Sequence, residues 1–193
     1  MTGEDASTAI TPRQLLWAYC QGYFPMAASR DDPQLYWFSP QPRAILPLDD
    51  LHCPRSVQKV IRQRRFELRW DRDFEHVMDA CAAPRPGEPN TWINATIRDL
   101  YCALHHEGFA HCLAAYRADR LVGGIYGLAI GRAFFAESMF CDREHGGTDA
   151  SKVCLVELVR MLRDNGFELF DVQYATDHLR RFGVIEIPRE QYL

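Results

Sequence analysis

No stretch of this 193-residue chain approaches the roughly 18 consecutive apolar residues of a membrane-spanning helix. The opening, MTGEDASTAITPRQ, carries two acids and no apolar stretch, so a signal peptide is not expected there. No two of the seven cysteines (Cys20, Cys53, Cys81, Cys102, Cys112, Cys141 and Cys154) are spaced as CxxC, and no Cys/His group has zinc-finger spacing. An odd, scattered set without a leader reads as reduced cytosolic thiols rather than as disulfides or a structural zinc site. Internal repeats and low-complexity tracts are also missing. With 47% hydrophobic and 25% charged residues, the chain is excluded from the disordered, collagen-like and coiled-coil classes. That much apolar material builds a core without covalent staples.

Lysine is nearly missing as well. Of the 22 basic residues only Lys59 and Lys152 are lysine; the rest are arginine. A net charge of −4 argues against a general nucleic-acid coat, but the basic residues cluster. Between His52 and Arg72 stand Arg55, Lys59, Arg62, Arg64, Arg65, Arg69 and Arg72, opposed only by Glu67 and Asp71. The planar arginine fork suits phosphate oxygens. The segment therefore reads either as a local phosphate contact through Lys59, Arg62, Arg64 and Arg65, or as the solvated face of a helix.

Thr11-Pro12-Arg13-Gln14 has the form of a capping box with proline at the first helical position, and Gly22 sits where a helix-ending glycine belongs. The stretch from Gly22 to Pro47 alternates turns with short strands, expected at Leu35–Phe38 and Ala44–Leu46. Its five prolines argue against a place in a central sheet. Beyond it the pattern predicts a helix over Pro54–Arg64, a strand over Phe66–Trp70, and a helix capped by Asp73 and running to Cys81. A loop at 83–90 follows, then a helix from Asn94 with Ile97, Leu100, Tyr101 and Leu104 on its apolar face. Three strands then form a meander: Ala110–Arg117, Leu121–Ile130 and Ala133–Phe140. The chain closes with a helix from Ala150 to Asn165, a strand Glu168–Tyr174, a short helix Asp177–Phe182 and a strand Val184–Ile187.

This order predicts an α+β protein: a small N-terminal α+β lobe over residues 1–50, then a domain over 51–193 with helices packed on an antiparallel sheet. The second part resembles the acyl-transferring half of the GCN5-related N-acyltransferase superfamily. That fold moves an acyl group onto an amine but does not fix the donor. Acetyl-coenzyme A members hold pyrophosphate in an Arg/Gln-x-x-Gly-x-Gly/Ala turn ahead of a helix. Here the corresponding CDREHGGTDASK has two adjacent glycines without that spacing.

A more specific resemblance runs from about Leu15 to Tyr192. It rests on Leu16-x-Ala18-Tyr19-x-x-Gly22-x-Phe24-Pro25, Trp37-x-Ser39-Pro40-x-Pro42-Arg43 and Leu51-His52-x-x-Arg55-Ser56. It continues through Thr91-Trp92-Ile93, Leu121-Val122-Gly123-Gly124-x-Tyr126-Gly127 and Glu137-Ser138-Met139-Phe140. Ala150-Ser151-Lys152, Asp171-x-Gln173 and Glu186-Ile187-Pro188-Arg189 complete it. In this order the segments resemble the leucyl/phenylalanyl-tRNA–protein transferases. The chain departs from that family in a shorter leader, a loop at 141–148 a few residues longer, an early end after EIPR, and Met26 where many members carry a tryptophan that stacks on the terminal adenosine.

The resemblance implies a monomeric bacterial cytosolic enzyme of the N-end rule pathway. Such an enzyme moves leucine or phenylalanine from its tRNA to the α-amino group of proteins beginning with Arg or Lys, marking them for degradation. The donor ester is already activated, so no cofactor or metal is called for. The acceptor amine, with a pKa of about 7.7–8.0, must lose a proton, and the oxyanion and departing ribose oxygen need partners. Asp171 and Gln173, two apart on an expected strand, share one face. Read alone, they equally serve as caps for neighbouring elements; the resemblance places them at the reaction centre. Glu137 inside FFAESMF must pair or meet a ligand, either a core arginine or the aminoacyl ammonium. By the resemblance, Ile125, Met139, Leu155, Leu158 and Phe170 line the aminoacyl pocket. Trp92, with Tyr19 and Met26, is the candidate adenosine site, while Trp37 is expected in the core. Ser151 and Lys152 open the long helix, either to hold an oxyanion or phosphate or merely to cap it. The rivals are a coenzyme-A-dependent N-acetyltransferase and a non-catalytic tRNA- or peptide-binding module.

Overall fold

The computed structural model describes residues 10–84, 87 and 89–193. Residues 1–9, which carry the expectation about a leader, lie outside them, as do three residues of the expected loop at 83–90. Helix α1 (Pro12–Cys20) opens on the predicted box. The Gln14 N–H donates to the Thr11 hydroxyl at 3.3 Å, and the Gln14 side chain accepts from the Thr11 N–H at 2.9 Å. Next, β1 (Phe24–Met26) and β2 (Tyr36–Phe38) pair as an antiparallel ribbon. The sequence pattern did not show β1, because Pro25 lies within it. A two-stranded ribbon tolerates this, since each strand has a free edge.

Strand β3 (Arg43–Ile45) leaves this lobe and joins the large sheet, hydrogen-bonded to β8 on one side and β9 on the other. That corrects the expectation that the prolines keep this stretch out of a central sheet. Pro42 and Pro47 flank the three residues without interrupting them, so each strand N–H remains available to donate.

The large sheet has seven strands in the order β4 (Glu67–Trp70), β5 (Ala110–Arg117), β6 (Arg120–Ile130), β7 (Ala133–Cys141), β8 (Leu169–Gln173), β3 and β9 (Ile185–Ile187). The β5–β6–β7 meander is antiparallel, and β8 returns parallel to β7 after the crossover helix α5 (Ala150–Asp164). Side chains alternate into two cores, one on each face. α1, α3 (Phe74–Ala82) and α4 (Ala95–His106) cover one face, and α2 (Arg55–Arg62) and α5 the other. The fold is α+β.

Asn94 caps α4, accepting from the Ile97 N–H at 2.8 Å. Asp73 stands at the start of α3 without capping it. At φ +56° its carboxylate accepts from the Tyr116 hydroxyl at 2.5 Å, which ties α3 to β5 instead. Gly123 lets α5 lie close on the sheet: a Cβ there would stand 2.4 Å from that of Ala150. Two short helices, α6 (Asp177–Arg180) and α7 (Arg189–Tyr192), finish the chain. The second was not expected, because four residues are too few to show a period.

Two irregularities prepare the site. On β7, Ser138 pairs with Tyr126 and Ala136 with Gly127, so Glu137 is an extra, unpaired residue in a bulge. On β8, Asp171 pairs with Ile45 and Gln173 with Ala44, leaving Val172 unpaired. Pairing between β7 and β8 ends at Phe135 and Asp171. Beyond that point the two parallel strands part.

Candidate active site

A cleft of about 300 Å³ opens where β7 and β8 separate. Glu137, Ser138 and Met139 form one wall, Val172, Gln173 and Tyr174 the other. Phe24, Met26 and Trp92 close one side, and Thr176, His178 and Leu179 of the α6 segment close the opposite one.

The bulge sets Glu137. Without it, strict alternation would put Glu137 and Met139 on one face of the sheet. Instead Glu137 meets Tyr19 of α1 and Tyr101 of α4, while Met139 packs on the α5 core. The two tyrosine hydroxyls also hydrogen-bond each other. Burial raises both phenols well above their ordinary pKa, so they remain protonated donors. Burial likewise pushes the Glu137 carboxyl up to about 8, opposed by the hydrogen bonds from Tyr19 and Tyr101. The Gln173 side-chain amide donates to Glu137 across the cleft at 3.3 Å.

Gln173 does not follow strand geometry. Its φ is +59°, and the Tyr174 N–H donates to the Val172 carbonyl at 2.6 Å, closing a three-residue turn around it. A non-glycine residue in this region costs about 1–3 kcal/mol and needs outside support. Asp171 supplies that support. Its Oδ1 accepts from the Gln173 N–H at 2.9 Å and from Arg43 Nε at 2.9 Å. Its Oδ2 accepts from Arg43 Nη2 at 2.5 Å and from the Tyr192 hydroxyl at 2.9 Å. With four donors on two oxygens and no exposure, this carboxylate has no lone pair left to take a proton from a substrate. Phe170 and Val172 turn to the α5 core, and Asp171 and Gln173 both turn to the opposite side, towards α1. On that shared side the turn at Gln173 puts the glutamine in the cleft, and the aspartate lies buried beneath it.

The structure brings Met26, Trp92, Glu137, Met139 and Gln173 together around one cleft. Ile125, Leu155, Leu158 and Phe170 are instead buried in the core cluster against which Met139 packs, and they do not line the cleft. Tyr19, only 2% exposed, lies beneath Glu137 and presents no face to a nucleobase. Trp37 reverses its expectation too: it stands opposite Pro25, between ribbon positions whose partners Phe24 and Met26 face the core, and is 39% exposed. Ser151 is buried, and Lys152 pairs with Asp149 at 2.6 Å. Lys59, Arg62, Arg64 and Arg65 are exposed on and just beyond α2, away from its buried Val57 and Val60.

A family model described as leucyl/phenylalanyl-tRNA protein transferase matches residues 45–193, and one for the N-terminal domain of the same enzymes matches residues 8–41. The chain belongs to the leucyl/phenylalanyl-tRNA protein transferase family. It is therefore an aminoacyltransferase by family, and the cleft is read as its candidate active site. Similar solved structures include a GCN5-related N-acetyltransferase from Sphaerobacter thermophilus, with 17% identity over 90% of this chain and 53% of that one, TM-score 0.48. A GCN5-related N-acetyltransferase-like protein from Streptococcus suis matches at 13% over 89% and 63%, TM-score 0.42. L-PGS from Bacillus licheniformis matches at 10% over 84% and 52%, TM-score 0.49. The chain spans between about half and two thirds of the length of these three structures.

Several residues of the candidate site carry little signal in the sequence. Arg43 showed only as a motif residue in PQPR, and Tyr101 looked like one more apolar position on α4. Tyr192 carried no local signal. His178 lines the cleft, and burial with the nearby Lys152 and Arg181 charges lowers its pKa. Its signal in the sequence is a histidine five positions from Gln173.

Proposed function

We propose that this enzyme transfers leucine or phenylalanine, and methionine as a further donor residue, from aminoacyl-tRNA to the α-amino group of proteins that begin with Arg or Lys. The product is a degradation substrate, and the enzyme works as a cytoplasmic monomer in which the N-terminal ribbon, through Phe24 and Met26, and the large sheet both contribute to the cleft. The observation that carries this reading is the meeting of Glu137 and Gln173 across the cleft, with Met139 and Trp92 beside them. Met139 gives an adaptable apolar contact for an unbranched or aromatic side chain. Trp92 and Met26 offer a stacking surface for the terminal adenosine.

In the reaction the neutral acceptor amine forms a bond to the ester carbonyl carbon and the bond to the ribose oxygen breaks. The proton lost by the amine ends on that oxygen. Gln173 is placed to donate to the carbonyl oxygen as charge develops. Glu137 receives the ammonium of the aminoacyl group. An arriving cation favours the ionised carboxylate, so donor binding pulls the Glu137 pKa down from about 8. Affinity should then rise with pH wherever the empty site is protonated and the filled site is not. Between pH 6 and 7, where the donor amine stays charged, KM for aminoacyl-tRNA is expected to fall by up to about tenfold. Glu137→Gln should weaken binding and remove the slope. A pH-independent KM in the parent enzyme would count against this role.

The coenzyme A rival finds poor support at the turn ahead of α5. Asp142 and Asp149 place carboxylates there, the wrong sign for a diphosphate, and Asp149 already holds Lys152. The deciding assay supplies radiolabelled leucyl-tRNA and an acceptor protein beginning with Arg. Label should enter the protein and be abolished by RNase. Transfer from acetyl-coenzyme A that survives RNase would replace this reading with the rival, and binding without transfer would leave a non-catalytic module.

A further inference from the structure

We propose that Tyr192 of α7 is a positioning residue for the transfer step, acting through Asp171 on Gln173. The proposal rests on reading Gln173 as a group of the reacting cleft.

The Tyr192 hydroxyl donates to Asp171 Oδ2 at 2.9 Å, and its ring lies over the Arg43 guanidinium, 4.7 Å from ring centroid to Cζ. Phe24, a cleft residue, contacts the same guanidinium at 4.9 Å. Arg43 also donates from Nη1 to the Gly22 carbonyl at 2.9 Å, just beyond the end of α1. Four chain segments thus meet on one buried ion pair: the end of α1 with β1, strand β3, strand β8 and α7. The Asp171 oxygens divide the work. Oδ1 holds the backbone of Gln173 in its left-handed turn, and Oδ2 is fixed by Arg43 and Tyr192. Without the tyrosine hydroxyl, Oδ2 keeps one donor instead of two, and the carboxylate gains freedom to rotate about its own bond. That motion reaches Oδ1, the Gln173 N–H, and finally the side-chain amide 3.3 Å from Glu137.

Arg189, one turn earlier on α7, anchors the helix from the other side. It donates to the Gln21 carbonyl at 2.9 Å and to the Ser39 hydroxyl, with Tyr23 under its guanidinium. The position of Tyr192 is therefore set by contacts that do not involve its hydroxyl. Removing that oxygen alone tests the positioning role without detaching α7.

Tyr192→Phe keeps the ring on Arg43 and deletes only the hydroxyl. In full-length protein, kcat for leucyl transfer is expected to fall about tenfold, the rate equivalent of one lost hydrogen bond to a charged group. KM for leucyl-tRNA should stay within about twofold, and Tm should fall by no more than about 6 °C. Combined with Gln173→Ala, the same change should cost nothing further, because its effect passes through that side chain. Hydrogen exchange at the Gln173 backbone amide should quicken in Tyr192→Phe, a readout that needs no transfer activity. Unchanged exchange would overturn the proposal whatever the enzyme proves to transfer. Full kcat, a KM effect alone, or an equal loss in the Gln173→Ala background would overturn it as well. If parent protein lacks transfer activity while exchange still responds, the functional reading has failed and the structural coupling stands.

Discussion

Asp171→Ala is expected to yield a protein about 3–5 kcal/mol less stable than its parent, because Arg43 would remain buried without its counter-charge. Gln173→Ala should behave oppositely. It removes one long hydrogen bond to Glu137 from a side chain that faces the cleft, so its stability should stay within about 1 kcal/mol. Its transfer rate should nonetheless fall about 10²–10³-fold, the usual loss when a donor to a developing oxyanion is removed. Asp171→Ala, studied at a temperature where it is still folded, should lose no more than this in turnover, since its carboxylate acts through Gln173. Binding of aminoacyl-tRNA should persist in both. Urea unfolding and single-turnover transfer, measured side by side, separate the two effects. Near-normal turnover in Gln173→Ala would remove it from the mechanism. Near-normal turnover in folded Asp171→Ala would show that the turn at Gln173 holds itself.

The comparison of the two residues also marks how far the sequence could be read. The meander, the crossover helix and the caps at Thr11 and Asn94 were legible because each rests on a local signal: a period, a turn pair or a side-chain oxygen three residues before a backbone donor. Glu137 was legible as an acid in an apolar strand, a conflict that has to be resolved by a partner or a ligand. What the sequence hid were the departures from regular geometry. The unpaired Glu137 changes which face each following residue of β7 takes, and alternation alone cannot locate an unpaired residue. The left-handed Gln173 carries no glycine to announce it. Arg43 and Tyr192 meet Asp171 across separations of 128 and 21 residues, which no spacing rule links. Core and pocket lining are hard to tell apart for a related reason. Leu155 and Leu158 sit on the buried face of α5, where core and pocket lining have the same composition.

Arg62→Ala combined with Arg65→Ala should raise KM for aminoacyl-tRNA and flatten its dependence on salt. Helix α2 buries Val57 and Val60 and turns Lys59 and Arg62 to solvent, with Arg64 and Arg65 exposed just beyond it. Arg69 is different, since Glu67 and Asp119 already neutralise it at 2.7 and 2.8 Å. Arg64 and Arg65 edge a hollow of about 180 Å³ shared with Val153 and Glu157 of α5, whose first turn carries Lys152. The contact proposed is between these exposed basic groups of α2 and the phosphates of the acceptor stem. Contacts of this kind are independent of base sequence, and each neutralised phosphate releases condensed counterion. Losing two should lower the log–log salt slope by about two units, so that a fourfold change in salt shifts the ratio of parent to variant affinity by about sixteenfold. Turnover of a minimal aminoacyl-adenosine donor, which has no stem, should barely change. A merely solvated helix face predicts no effect with either donor. An equal loss with both donors would assign these arginines to folding or chemistry and remove the stem from α2.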